Sequence, residues 1–138
     1  MKIQTLQFPF TLETVEAVNQ QLANAWNSNN PESLVPLFSP ESRWQCGEHT
    51  FAGRDAIKSF LIQKWSMQHH YRHVAELWAF HENRISNRVA YEWQSAEDGQ
   101  WFRATGVENL EFEVNGLVTS RYEYIFDTKI LEAHRWFK

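Results

Sequence analysis

The sequence predicts an α+β fold: N-terminal helices packed on a strongly curved antiparallel sheet that forms a cone-shaped pocket. Three observations predict it. Helical periodicity fills the first half of the chain, four long strand patterns fill the second, and short turn signals join those strands as an antiparallel meander. At 138 residues the chain has the length of one domain spanning residues 1–138. A chain of that size buries about two-thirds of the surface it exposes when unfolded and needs no disulfide or metal staple.

Residues 11–27 read as the first helix. Leu12, Val15, Val18, Leu22 and Trp26 fall close to one face, Thr11 caps the start, and Glu13 and Glu16 suit the positive end of the dipole. Asn30 then caps a second helix with Pro31 at its first position; Leu34, Leu37 and Phe38 form its apolar side and Pro40 ends it. Residues 42–45 and 49–52 read as short strands around Gly47. Gly53 opens a third helix running to Met67, with Ile57, Phe60, Leu61 and Trp65 at helical spacing. Residues 71–80, 85–94, 100–112 and 117–126 are strands rich in β-branched and aromatic residues. Asn115-Gly116 is the strongest hairpin signal, and Glu82-Asn83 and Asp98-Gly99 mark the other turns. Strands this long exceed the usual five or six residues and curl, which leaves a conical space beneath the helices.

Turn geometry sets the expected registers: Phe80 opposite Ile85, Gln94 opposite Gln100, and Phe112 opposite Thr119. Alternation then sorts the side chains into two faces. One face carries Tyr71, His73, Ala75, Leu77, Arg88, Ala90, Glu92, Phe102, Ala104, Gly106, Glu108, Leu110, Arg121, Glu123, Ile125 and Asp127. It mixes ionisable groups with small residues and suits a ligand pocket. The other carries Val74, Trp78, Phe80, Val89, Tyr91, Trp93, Trp101, Val107, Tyr122, Tyr124 and Phe126, with Arg72, Glu76, Arg103 and Asn109 among them. That face is too apolar to meet water and suits a homodimer interface through the sheet.

Composition excludes other classes. The chain is 43% hydrophobic and 22% charged, ordinary for a soluble domain, but 15% aromatic, with seven Trp, ten Phe and four Tyr. No run approaches the ~18 apolar residues of a membrane span. The net charge is -4 and the basic residues are scattered, so neither a nucleic-acid stripe nor a basic membrane-surface helix is present. Cys46 is the single cysteine, which rules out an internal disulfide or a thiolate metal cluster. The N-terminus lacks a signal-peptide pattern, and a cytoplasmic location is the simplest expectation.

Several stretches carry a resemblance: AWNSNNPE at residues 25–32, FAGRDAIKSFLIQKW at 51–65, ELWAF at 76–80, NRI at 83–85, YEW at 91–93 and GQWFR at 99–103. In these the chain resembles a family of small uncharacterised proteins in the nuclear-transport-factor-2-like (SnoaL-like) superfamily, a cystatin-like architecture. The resemblance covers residues 25–127. It implies three helices on a curled sheet, a deep pocket and dimers through the sheet. The superfamily includes isomerases, dehydratases, cyclases and epoxide hydrolases beside non-catalytic binding proteins, so the fold alone does not assign an activity. The chain departs from the family pattern at Gly106-Val107-Glu108, where GNE is usual, at Leu110, where Trp is usual, and at residues 121–127, where RYEYIFD stands for REASIND.

The candidate chemistry lies in the expected pocket. Glu108 sits opposite Glu123 in this register, with Cβ atoms about 5 Å apart. Two enclosed carboxylates that close leave one protonated, which suits acid–base catalysis; Arg88 and Arg121 can equally neutralise them as a structural network. Glu92 opposite His73 forms a second acid–base candidate, with Asp127 to assist. Glu92, Glu108, His73 and Asp127 are thus the catalytic candidates, and Trp44, Arg88, Arg121, Glu123 and Phe102 the ligand-binding ones. His69, His70 and His73 lack a firm third metal ligand, and no phosphate loop or nucleophile elbow appears, so neither metal nor cofactor is expected. The sequence therefore points to a cofactor-independent isomerase, dehydratase or hydrolase for a small, partly apolar molecule. A non-catalytic small-molecule-binding protein and a dimeric interaction module are the alternatives.

Overall fold

The computed structural model describes residues 5–138. The chain runs α1 (Leu12–Asn27), α2 (Pro31–Leu34), a 3-10 turn (Val35–Leu37), β1 (Phe38–Cys46), β2 (His49–Ala52), α3 (Arg54–Met67), β3 (Gln68–His81), β4 (Arg84–Ser95), β5 (Trp101–Phe112), β6 (Val118–Ile130) and a final 3-10 turn (Glu132–His134). The helices pack on one face of a six-stranded sheet ordered β2-β1-β6-β5-β4-β3. The caps follow local chemistry. Thr11 accepts the Thr14 amide, and the Asn30 side chain accepts the Glu32 amide with Pro31 at the first helical position.

Two features correct the expected sheet. It is mixed rather than antiparallel, because β1 runs parallel to β6. Turn chemistry constrains only strands adjacent in sequence, and these two are not. The sequence also suggests an α+β barrel, but the sheet is open, with β2 and β3 as its edges among the described residues. Pro40 does not terminate a helix. It lies inside β1, in the irregular stretch between Phe38 and Arg43, where pairing with β6 slips and a missing N–H is tolerated.

The registers hold at Phe80–Ile85 and Glu108–Glu123, but Phe112 pairs with Val118 after an irregularity at Glu111. β4 slips on both sides. Leu77 pairs with Asn87 and Ala79 with Ser86, which leaves Trp78 as a bulge. On the other side Gln94 pairs with Trp101, not Gln100. Since one residue of slip turns every side chain over, Ile85, Asn87, Tyr91 and Trp93 face inward and Arg88 and Glu92 face outward. At Gly106 a Cβ would stand 1.9 Å from the Tyr124 carbonyl oxygen, so β5 and β6 approach more closely than any side chain there allows.

Helix α1 is fixed to the sheet by two amide clamps. Asn19 and Asn87 exchange side-chain hydrogen bonds of 2.8 and 3.0 Å in the core. Two turns later, Asn27 accepts the His73 amide at 2.7 Å and donates to its carbonyl at 2.9 Å. Val15, Leu22, Ala25 and Trp26 of α1 pack with Ile57 and Leu61 of α3 and with the inward residues of the sheet. No helix among the described residues is long and apolar enough to cross a membrane.

The chain after β6 folds back over the outer face. There the buried Glu92 carboxylate accepts the amides of Trp136 at 3.0 Å and Phe137 at 3.1 Å, and Arg103 Nε donates to it at 2.8 Å. The Arg103 guanidinium lies 3.6 Å from the Trp136 ring centroid and donates to the His134 carbonyl at 2.6 Å. Arg135 covers Trp101 at 4.2 Å. Glu92 thus holds the strap against the sheet. Replacing it by alanine removes an ionised acceptor and strands Arg103. The expected result is a loss of roughly 2–3 kcal/mol in urea unfolding, with fast hydrogen exchange at the amides of 136 and 137. Unchanged protection at those amides would contradict the strap.

Candidate functional site

A cavity of about 800 Å³ opens between α3 and the inner face of β6. Phe60, Lys64 and Met67 line it from the helix, Tyr91 from β4, Glu123 and Asp127 from β6, and Cys46 from the end of β1. A second hollow of about 460 Å³ lies on the outer face between Ala79, Ser86, Asn109 and Tyr122. Its ionisable groups are surface residues such as His81 and Arg84. The buried charges Glu108, Arg121 and Glu123 lie at and beneath the first.

Beneath the cavity Arg121 is fully buried. Its guanidinium lies 4.9 Å from the Trp26 ring centroid and 4.7 Å from that of Trp44. It donates to Glu123 Oε2 at 2.5 Å, while its Nε stands 4.0 Å from Glu108 Oε1 and its Nη1 3.9 Å from Cys46 Sγ. Glu108 Oε2 and Arg121 Nε are buried without a hydrogen-bond partner among the described residues. Burial pushes the Glu108 carboxyl above its usual range; Arg121 opposes the shift and Glu123 adds to it. Glu123 thus makes the close ion pair with Arg121, and Glu108 lies farther from the guanidinium with its carboxyl raised by burial.

The groups at the cavity wall are also displaced. Burial lowers the Lys64 ammonium to about 8, against the opposing pull of Glu123. Its Nζ lies 4.1 Å from the Tyr91 ring centroid and 5.1 Å from that of Tyr71. Burial raises the Asp127 carboxyl; Lys64 opposes this and Glu123 reinforces it. Burial likewise raises the Cys46 thiol despite Arg121. His73 sits deeper, stacked 5.3 Å from Trp26 and 6.0 Å from Tyr91, with Nδ1 3.0 Å from the Tyr71 hydroxyl. Burial, aided by Arg121 and Lys64, lowers it to about 3, so it is neutral in the folded protein.

The sequence-predicted residues separate into three groups. Glu123 and Asp127 line the cavity, and Glu108, Arg121, Trp44 and His73 are buried in the inner layer around it. Phe102 faces inward but stacks on Trp93 at 5.2 Å, away from the cavity lining. Glu92 and Arg88 are on the opposite face; Arg88 pairs with Glu76 and covers Trp78. The expected His73–Glu92 dyad does not form, because the Trp78 bulge puts Tyr91 opposite His73. Lys64 and Tyr91 are among the lining residues that sequence reasoning missed. For Lys64 a signal exists: it lies three residues after Leu61 and seven after Ile57, on the buried face of α3.

The family profile described as protein of unknown function (DUF1348) matches residues 8–138. The chain belongs to that family. No curated characterised protein matches the DUF1348 chain in sequence. Solved structures share its fold. An NTF2-like protein of unknown function from Exiguobacterium sp. 255-15 aligns with TM-score 0.70 and 20% identity, covering 80% of this chain and 99% of its own. SalBIII, an epoxide hydrolase/cyclase-like enzyme of pyran ring formation in the polyether salinomycin, aligns with TM-score 0.74 and 12% identity, over 83% of this chain and 92% of its own. The BvnE pinacolase from Penicillium brevicompactum aligns with TM-score 0.70 and 13% identity, over 82% and 86%. The fold is nuclear-transport-factor-2-like.

His73 makes the site sensitive to acid. Its folded value near 3 lies below the unfolded value near 6.5, so the unfolded chain binds the extra proton first. The stability held by neutral His73 is complete above pH ~6.5 and is lost as pH falls from there toward 3. Urea midpoints of the wild type are expected to fall more steeply between pH 6.5 and 4 than those of His73→Gln. Parallel slopes would show that His73 does not titrate with unfolding.

Proposed function

We propose that this chain is a cofactor-independent acid–base enzyme, of isomerase, dehydratase or hydrolase type, for a small, partly apolar molecule held between α3 and the sheet. One arrangement carries the reading. The cavity is reached from the helix by an amine lowered toward neutrality, Lys64, and from β6 by a carboxyl raised toward it, Asp127. Groups displaced toward working pH from both directions suit proton transfer in both directions. Glu123, held by Arg121, accepts hydrogen bonds from the polar end of the molecule, with the Glu108 carboxyl, raised by burial, behind it. Phe60, Met67 and Tyr91 supply the apolar contact. The enzymatic names of two structural neighbours support the reading at the level of fold only.

Asp127→Asn removes the exchangeable carboxyl while keeping the shape of the site. Mass spectrometry of small molecules released from purified protein is expected to find the unconverted compound on Asp127→Asn and its product on the wild type. The rate of that conversion falls about 100-fold or more. The same compound on both proteins, unchanged, would leave the binding-protein alternative in its place.

In the same reading a second copy of the chain covers the outer face. Trp78, Tyr122, Tyr124 and Phe126 are exposed there beside Val74 and Val107, a larger apolar surface than a monomer ordinarily presents. Sedimentation at micromolar concentration is expected to give a dimer, and Tyr124→Glu a monomer. A wild-type monomer would overturn the dimer.

A further inference from the structure

Among the described residues no carboxylate lies within ion-pair distance of Lys64 Nζ. Its neighbours are the ring faces of Tyr91 and Tyr71, and it lines the cavity directly. Lys58, Lys129 and Lys138, by contrast, are exposed, and Lys58 is paired with Glu32 at 2.6 Å. An amine on the wall of an apolar and aromatic cavity, without a salt-bridge partner, has the setting of an imine-forming lysine.

We infer that Lys64 captures small aldehydes or ketones covalently, as an imine, in the cavity between α3 and β6. The nitrogen lone pair of the neutral amine attacks the carbonyl carbon. A C–N bond forms, the carbonyl π pair moves to oxygen, and proton transfer gives the carbinolamine. The Asp127 carboxyl, which lines the same cavity and whose proton affinity burial raises, is the acid that passes a proton to the departing hydroxyl. Water leaves, and the protonated imine on Lys64 is balanced by the Asp127 carboxylate. That carboxylate is left as a base for a hydrogen on the carbon next to the imine. Phe60, Met67 and the tyrosine rings accept the apolar part of the carbonyl compound.

The lysine's titration supports this geometry. Burial and Arg121 favour the neutral amine, whereas Glu123, Cys46 and Asp127 favour the ammonium, and the balance is a value of about 8. At pH 7 about one amine in ten is then neutral, against about one in 2,500 for an ordinary lysine near 10.4. The inference rests on the same two groups as the acid–base reading, Lys64 and Asp127, but borohydride trapping reports imine formation on Lys64 whereas conversion of a bound compound reports proton transfer, so either can fail without the other.

The test incubates the full chain with butanal at pH 7, reduces with sodium borohydride and maps the product by mass spectrometry. Reduction of the imine adds the mass of the aldehyde less one oxygen. The expected adduct is on Lys64, formed at least about tenfold faster than on Lys58, Lys129 or Lys138. Its rate should rise with pH to a half-maximum near 8 rather than near 10.4. Lys64→Met should lose the fast adduct, and Asp127→Asn should slow it without moving it. Because the exposed lysines of the same wild-type molecule are the internal standard, the result does not depend on a variant folding. Labelling spread evenly over the lysines, or Lys64 reacting more slowly than its exposed counterparts, overturns the inference.

Discussion

The guanidinium of Arg121 is the constraint around which the rest of this structure is arranged. Moving such a cation out of water costs several kcal/mol even after relaxation, and the interior must offset that cost with opposite charge and polarisable surface. Glu123 supplies the charge at 2.5 Å, and the ring faces of Trp26 and Trp44 supply the surface. These partners come from α1, β1 and β6, so one side chain requires a helix and two non-sequential strands to meet. Glu108 is then placed opposite Glu123, where burial raises its carboxyl and Glu123 adds to the shift against the pull of Arg121. A structural ion pair and a weakened acid are thus two results of the same burial.

Much of this was legible in the sequence where local chemistry decides the outcome. Thr11, Asn30 and Pro31 marked helix starts, and Phe80–Ile85 and Glu108–Glu123 followed from turns of known length. β4 was not legible. The inserted Trp78 and the longer loop before β5 each shift pairing by one residue, and neither leaves a distinctive local pattern. The error was therefore complete for that strand, moving Glu92 and Arg88 from the expected pocket to the outside and Tyr91 the other way. The strap after β6 was invisible for a different reason. It has no periodicity, and its anchor is a long-range contact between backbone amides and Glu92.

The abundance of rings also takes a more definite meaning. An aromatic series crosses the interior from Trp44 through Trp26, His73, Tyr91 and Trp93 to Phe102, with successive centroids 5.2 to 6.0 Å apart. It forms a stiff layer beside the buried charges. Flexible aliphatic side chains fill volume equally well but offer no polarised faces to a cation. Tyr91 takes part in both tasks, stacking in this layer and presenting its face to Lys64.

The Asn27 clamp on His73 bears on how the molecule behaves among its neighbours. β3 is an edge strand, and an edge offers unpaired amides and carbonyls on which another chain can build. At His73 one side chain from α1 occupies both a donor and an acceptor of that edge, as a neighbouring strand would. The opposite edge is the four-residue β2, too short to template much pairing. One side of the sheet is thus blocked at His73 and the other is short, and each is an obstacle to strand-by-strand growth and fibrous stacking.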